Sequence, residues 1–226
     1  MEYMLVFTDP ADARGRATAP IVETQRIGDE LGKVGTLRRA AMLTTSAGAR
    51  VRVRDGAPLV TGAPVVEDGQ ILSGFWVVEV ESRDDALEIA RRCVPARSGR
   101  VEVTRVHWRD GVADRQDKKG FALLFRMEPG LSDCDGAKMR EMVEFQEPLK
   151  ADGSFVETAP LSFDPPVARV EARGGRISVT DGPFAETKEG VGGYTLVRLA
   201  DLAAAIELAR RFPHARWGPV EVREMV

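Results

Sequence analysis

Cysteine is almost missing from this 226-residue chain: Cys93 and Cys134 stand in different halves, and no cysteine and histidine share a metal-type spacing. No metal site is implied, and both thiols are expected to be reduced and structural. A basic excess is lacking too, since 32 Lys and Arg face 35 Asp and Glu for a net charge of -3. Nucleic acid is therefore not an expected partner. There is no long apolar run, and Met1 to Phe7 has no basic residue ahead of it and meets Asp9 and Pro10 at once. That start reads as neither a secretion signal nor a membrane span, so a cytoplasmic protein away from the membrane is expected. A glycine-rich dinucleotide or phosphate fingerprint is also missing, and no cofactor is expected. The acidic pair Asp133 and Asp135 has no further ligands at suitable spacing and reads as a solvated loop.

What the sequence does contain is a repeat. Sliding the chain by 119 residues aligns Ala49 to Val106 with Ala168 to Met225 without a gap, and 22 of the 58 positions are identical. Val101-Glu102-Val103 meets Val220-Glu221-Val222, and Ala90-Arg91-Arg92 meets Ala209-Arg210-Arg211. Upstream an offset of 118 serves better, bringing Leu31, Gly35 and Leu37 onto Leu149, Gly153 and Phe155. The polar segment after His107 has linker composition. The reading is a module over 1–108, a linker over 109–119 and a second module over 120–226.

Each copy reads strand, helix, strands, helix, strand. The first strand is Tyr3 to Phe7 or Phe121 to Phe125, and Ile27, Leu31 and Val34, or Met139, Met142, Val143 and Gln146, mark the first helix. Pro148 is expected to bend or end that helix in copy two. Alternating segments follow, turned by Asp55-Gly56 and Gly174-Gly175. Ser82 and Asp201 are the predicted N-caps of the second helices. This order predicts an α+β protein of two ferredoxin-like modules, packed sheet to sheet as a homodimer fused into one chain. A monomer with a pseudo-two-fold axis and a small-molecule groove is the expected result, with a homodimer as the alternative.

The string Val179-Thr180-Asp181-Gly182-Pro183-Phe184-Ala185-Glu186-Thr187-Lys188-Glu189, followed by Gly192-Gly193-Tyr194, resembles the signature of the DGPF branch of the YCII-related proteins. The resemblance runs over all of copy two and more weakly over copy one. It implies a ferredoxin-like fold that pairs into a dimeric α/β barrel, and it implies no established reaction. Some YCII-related relatives are similar to dehalogenating or lyase-type enzymes with a His-Asp pair. This chain departs from that pattern, because His107 lies at the linker and His214 follows the last helix.

Asp181 has two readings on its own chemistry. Asp-Gly-Pro is turn chemistry, with a carboxylate for a backbone N–H, a glycine for positive φ and a proline to fix the next φ. Alternatively, a loop of about a dozen residues between paired strands is long for a hairpin, and it gathers Asp181, Glu186 and Lys188 as candidate proton-moving groups. Gly182, Pro183, Phe184, Thr187 and Tyr194 would then contact a ligand. Gly192 and Gly193 form either a bulge or a close approach for a ligand or backbone. Arg50 and Arg169, shared by the copies, read as anion anchors or as exposed strand arginines. Copy one keeps only Pro64 and Glu67 of the motif, so at most one of two related sites retains its full polar character.

The leading functional reading is a protein that binds a small polar molecule between sheet and motif loop, with lyase, isomerase or hydrolase chemistry in prospect. The alternative, which comes from the family resemblance, is a non-catalytic accessory or regulatory protein tied to extracytoplasmic-function sigma-factor signalling.

Overall fold

Tyr3 to Phe7 is apolar on both faces, the pattern of a strand with neither side left to water. In the computed structural model, which describes residues 1–11, 19–64, 66–67, 69–97, 99–114, 117–127, 136–173, 175–182 and 189–226, it forms the middle of β1 (Glu2–Pro10). Copy one continues with α1 (Ala19–Lys33), β2 (Leu37–Met42), β3 (Ala49–Arg54), β4 (Ala57–Gly62), β5 (Val66–Glu67), β6 (Gln70–Glu79), α2 (Arg83–Arg97) and β7 (Arg100–Val106). The linker contributes the short β8 (Asp110–Gly111). Copy two supplies β9 (Lys119–Met127), α3 (Gly136–Ala151), β10 (Phe155–Ser162), β11 (Ala168–Arg173), β12 (Arg176–Asp181), β13 (Gly190–Leu199), α4 (Leu202–Arg211), a 3-10 turn (Pro213–Arg216) and β14 (Val220–Glu224).

The chain resolves into two units that do not coincide with the two repeats. The first unit comprises Met1–Thr45, Val66–His107 and Leu161–Thr187, and the second Ser46–Val65, Trp108–Pro160 and Lys188–Val226. Each repeat thus gives its central hairpin to the unit built mainly from the other. In the first unit the antiparallel sheet runs β2-β6-β1-β7, the spatial order of a ferredoxin-like module, and is extended by β11 on β7 and β12 on β11. In the second it runs β10-β13-β9-β14 and is extended by β3 on β14 and β4 on β3. The α+β class and the tandem organisation are as expected. β8 makes the linker more than a spacer, since it pairs with β10 at Glu157 and Thr158.

One sheet face of each unit takes the helices. In the first, Tyr3, Leu5, Phe7, Val101 and Val103 pack under α1 and α2, which contribute Ile27, Leu31, Leu87, Ala90 and the buried Cys93. In the second, Phe121, Leu123, Phe125, Val220 and Val222 pack under Met142, Ala205, Leu208 and Ala209. Asp201 caps α4 by accepting the Ala204 N–H at 2.8 Å. Ser82 opens α2 as a capping box: its hydroxyl accepts the Asp85 N–H, and the Asp85 carboxylate accepts the Ser82 N–H at 2.9 Å.

Two expectations about helices are corrected. Val34 lies beyond α1 and is exposed, so Ile27 and Leu31 alone carry the buried stripe. Pro148 does not end α3, which runs on to Ala151. It sits close enough to the C-terminus that the missing N–H removes one bond in a turn already near its end. The cores also differ where the repeats do. Gln146 of α3 donates to the hydroxyls of Thr158 and Thr195 at 3.2 Å each, while the matching positions in the first unit hold Gly28, Ala40 and Trp76. A β-carbon on Gly28 would stand 3.2 Å from the Trp76 ring, so the glycine makes room for the indole. Among the described residues no helix is long and apolar enough to cross a membrane.

Candidate functional site

Alternation along the strands sets the residues between those of the helix-facing core onto the other sheet face. In the second unit, strand register lines up Ala159, Tyr194, Leu124, Glu221 and Arg50 as one row across β10, β13, β9, β14 and β3. The first unit has the same row in the same register, with Ala41, Phe75, Val6, Glu102 and Arg169. Two otherwise equivalent faces can therefore be compared position by position.

The first face buries Met4, Val6, Phe75 and Val77 and carries charge along the β7–β11 ladder, where Arg169 pairs with Glu102 at 2.9 Å and Arg100 with Glu171 at 3.6 Å. The second face differs in its charges. Arg126 stands where copy one has Thr8, Arg223 where it has Thr104, Glu157 where it has Arg39, Glu189 where it has Gln70, and Tyr194 where it has Phe75. These groups are deep: Arg223 is 0 % exposed, Glu221 1 % and Arg126 5 %.

Their pairing is rearranged accordingly. Glu221 accepts from Arg223 at 2.9 Å and lies 3.7 Å from Arg126. Its cross-strand neighbour Arg50 turns instead to Glu189, donating through both terminal nitrogens to both carboxylate oxygens, one of them at 2.6 Å. Glu189 also lies 3.7 Å from Arg126 Nε. A short distance along the face, the Tyr194 hydroxyl donates to Glu157 Oε1 at 2.5 Å, and Arg109 donates to Glu157 Oε2 at 3.0 Å. The arrangement can hold an oxyanion with planar guanidinium donors. It can also pass a proton between a phenol and a carboxylate.

The backbone under Arg126 is fixed from the helix side. His214 donates from Nε2 to the Arg126 carbonyl at 3.2 Å, and its ring stacks on Phe125 with centroids 5.1 Å apart. Burial pushes His214 down to about 4, against the opposing effect of that hydrogen bond. It is a neutral packing residue beside the site. A β-carbon on Gly218 would fall 2.6 Å from the Arg126 carbonyl oxygen, so this turn needs a glycine for close approach.

The predicted site residues divide between the units. Arg50, Gly192, Gly193 and Tyr194 belong to the second, with Arg50 and Tyr194 in the charged face just described. Gly192-Gly193 is a bulge: the β13 register shifts between Val191 and Gly193, and Gly193 has φ 152°. Arg169 belongs to the first unit, paired with Glu102 rather than exposed. Asp181 ends β12 in that unit and pairs with Arg83, its side chain 59 % exposed. Gly182 follows, its N–H donating to the Val167 carbonyl at 2.8 Å. Pro183, Phe184, Glu186, Thr187 and Lys188 lie outside the described residues. The motif loop is not the long hairpin expected, because β12 pairs with β11 in one unit and β13 with β9 and β10 in the other.

Arg126, Glu157, Glu189, Glu221 and Arg223 were not among the predicted site residues. The signal for most of them was in the repeat itself, where a neutral residue of copy one changes to a charged one in a strand otherwise apolar.

A model of the YCII-related domain matches residues 1–108 and again residues 120–226. The structure is similar to a solved structure described as "Putative Chlorite dismutase", at 8% identity and a TM-score of 0.44, covering 100% of this chain and 94% of that one. The comparison with curated proteins gives no match.

Proposed function

This chain belongs to the YCII-related domain family, with two copies of the domain in one polypeptide, and from that premise we propose that its second unit binds a small polar molecule. The site is the sheet face bearing Arg50, Arg126, Glu189, Tyr194 and Glu157. One observation carries the reading: the first unit builds the same sheet in the same register with Thr8, Thr104, Gln70 and Phe75 at the matching positions. The fold does not require the charges, and burying each one costs several kcal/mol before its partner offsets it. Charge at Arg126, Arg223 and Glu189, where the other copy has Thr8, Thr104 and Gln70, supports reading this as a binding face. The Tyr194–Glu157 pair is the proton donor and acceptor that lyase, isomerase or hydrolase chemistry would use.

The test is a thermal-unfolding screen of neutral, cationic and anionic polar metabolites against the wild type and against Arg126→Thr and Tyr194→Phe. Both substitutions install the residue that copy one already carries. A ligand at 100 times its dissociation constant adds about 2.7 kcal/mol, a shift of several degrees for a chain this size. Hits lost in Arg126→Thr or Tyr194→Phe support the reading. Hits that neither variant changes place the ligand elsewhere, and an empty screen leaves the accessory-protein reading in its place.

A further inference from the structure

We infer that the molecule bound on this face is an oxyanion, a carboxylate or a phosphate, and that the Glu189 carboxylate holds its place in the unliganded protein. The inference rests on reading the second unit's face as a binding site and adds the class of ligand.

The argument begins with Arg50. Its counterpart Arg169 takes the glutamate directly across the ladder, Glu102. Arg50 has the equivalent neighbour, Glu221, in the same register. That carboxylate is engaged by Arg223 and Arg126, which stand where copy one has Thr104 and Thr8. Arg50 takes Glu189 instead.

Glu189 differs from Glu221 in what positions it. Glu221 is a ladder residue inside β14, fixed by pairing on both sides. Glu189 stands just before β13 begins, at the close of the motif loop, and reaches the arginines by its side chain. Its carboxylate accepts from Arg50 with both oxygens and lies 3.7 Å from Arg126 Nε, a place that a ligand carboxylate or phosphate would take beside the same two guanidinium groups. Among the described residues the cluster joins Arg50, Arg126 and Arg223 to Glu189 and Glu221. In the place of Glu189 a cation would face the guanidinium groups of Arg50 and Arg126, and a neutral molecule would give them no counter-charge there. An anion replacing Glu189 keeps the charge balance of the cluster while the glutamate moves out toward water, from a side chain that is 10 % exposed.

The prediction is that removing the internal anion tightens binding of an external one. Isothermal titration at low ionic strength with inorganic phosphate and with acetate would be run on the wild type, Glu189→Gln and Arg126→Thr, each first checked for an intact cooperative unfolding transition. Glu189→Gln installs the residue that copy one carries at this position. The expected result is phosphate or acetate affinity at least about tenfold tighter in Glu189→Gln than in the wild type, with binding lost in Arg126→Thr. Equal or weaker binding in Glu189→Gln would overturn the stand-in role. If neutral polar molecules bind in an Arg126-dependent way while neither anion binds any of the three proteins, the anion class is wrong and the polar site stands. If nothing binds in an Arg126-dependent way, the underlying reading of the face fails with it.

Discussion

Removing the Asp181 carboxylate is expected to cost no more than about 1 kcal/mol, because its pairing with Arg83 is exposed to solvent and such pairs contribute little. Urea unfolding of Asp181→Ala checks this, and a loss above about 2 kcal/mol would show a turn-forming role beyond that pair. His214 makes the opposite kind of contribution. Its folded value, about 4, lies below the ordinary 6.5, so the native state refuses a proton that the unfolded chain accepts. The associated stability is fully present above pH 6.5 and is lost as the pH falls toward 4, on the order of 3 kcal/mol over that window. His214→Gln should flatten this part of a stability-against-pH profile, and an unchanged slope would mean that other groups set the acid limb. Residues of this kind were only partly legible in the sequence. Arg50 and Tyr194 were named from the repeat and the motif, but Arg126, Glu157 and Arg223 occur singly in strands, where one charged residue reads as a solvated face. Comparison of the copies flags Arg126 and Arg223, and the register, which puts them on one buried side with Glu157, gives them a meaning.

Elements were easier to read than sites. Asp55-Gly56 turns β3 into β4 with φ of 51° and 76°, as an Asp-Gly pair between alternating segments predicts. The double glycine of β13 left a bulge and a close approach as alternatives, and both apply. A β-carbon on Gly193 would fall 2.7 Å from the Ala159 carbonyl oxygen, at a φ of 152° that side chains rarely adopt. Gly193→Ala should therefore cost about 2 kcal/mol or more, measured by urea unfolding. A neutral result would mean that β10 and β13 can separate locally. The pairing partners of the central hairpins were not legible. Alternation says that Ala49–Arg54 and Ala168–Arg173 are strands, but nothing in a repeat says whether a strand pairs inside its own copy or with the other, because the two copies offer nearly the same edges.

That ambiguity matters for the molecule as a whole. Residues 1–108 lack the β11–β12 hairpin that covers β7, and residues 120–226 lack the β3–β4 hairpin that covers β14. Neither fragment is expected to unfold cooperatively as a monomer. Mixed in equal amounts, they should associate and recover the far-ultraviolet spectrum and the cooperative transition of the intact chain. Sedimentation that shows a stable folded monomer for either fragment alone would count against the exchange. The intact chain, with both hairpins supplied in cis, is expected to sediment as a monomer.

Covalent fusion of two copies also alters how the protein can change over time. In an assembly of identical subunits every substitution is written twice, so a buried charge costs the fold twice and any site it creates appears in duplicate. Here Thr8 can remain as it is while Arg126 changes, and Phe75 can remain while Tyr194 gains its hydroxyl. One half can keep the residues that hold the sheet while the other specialises. The consequence is a stoichiometry: this chain should saturate at one equivalent of ligand, with a plain hyperbolic isotherm, because the first copy repeats neither Arg126, Arg223 nor Glu189.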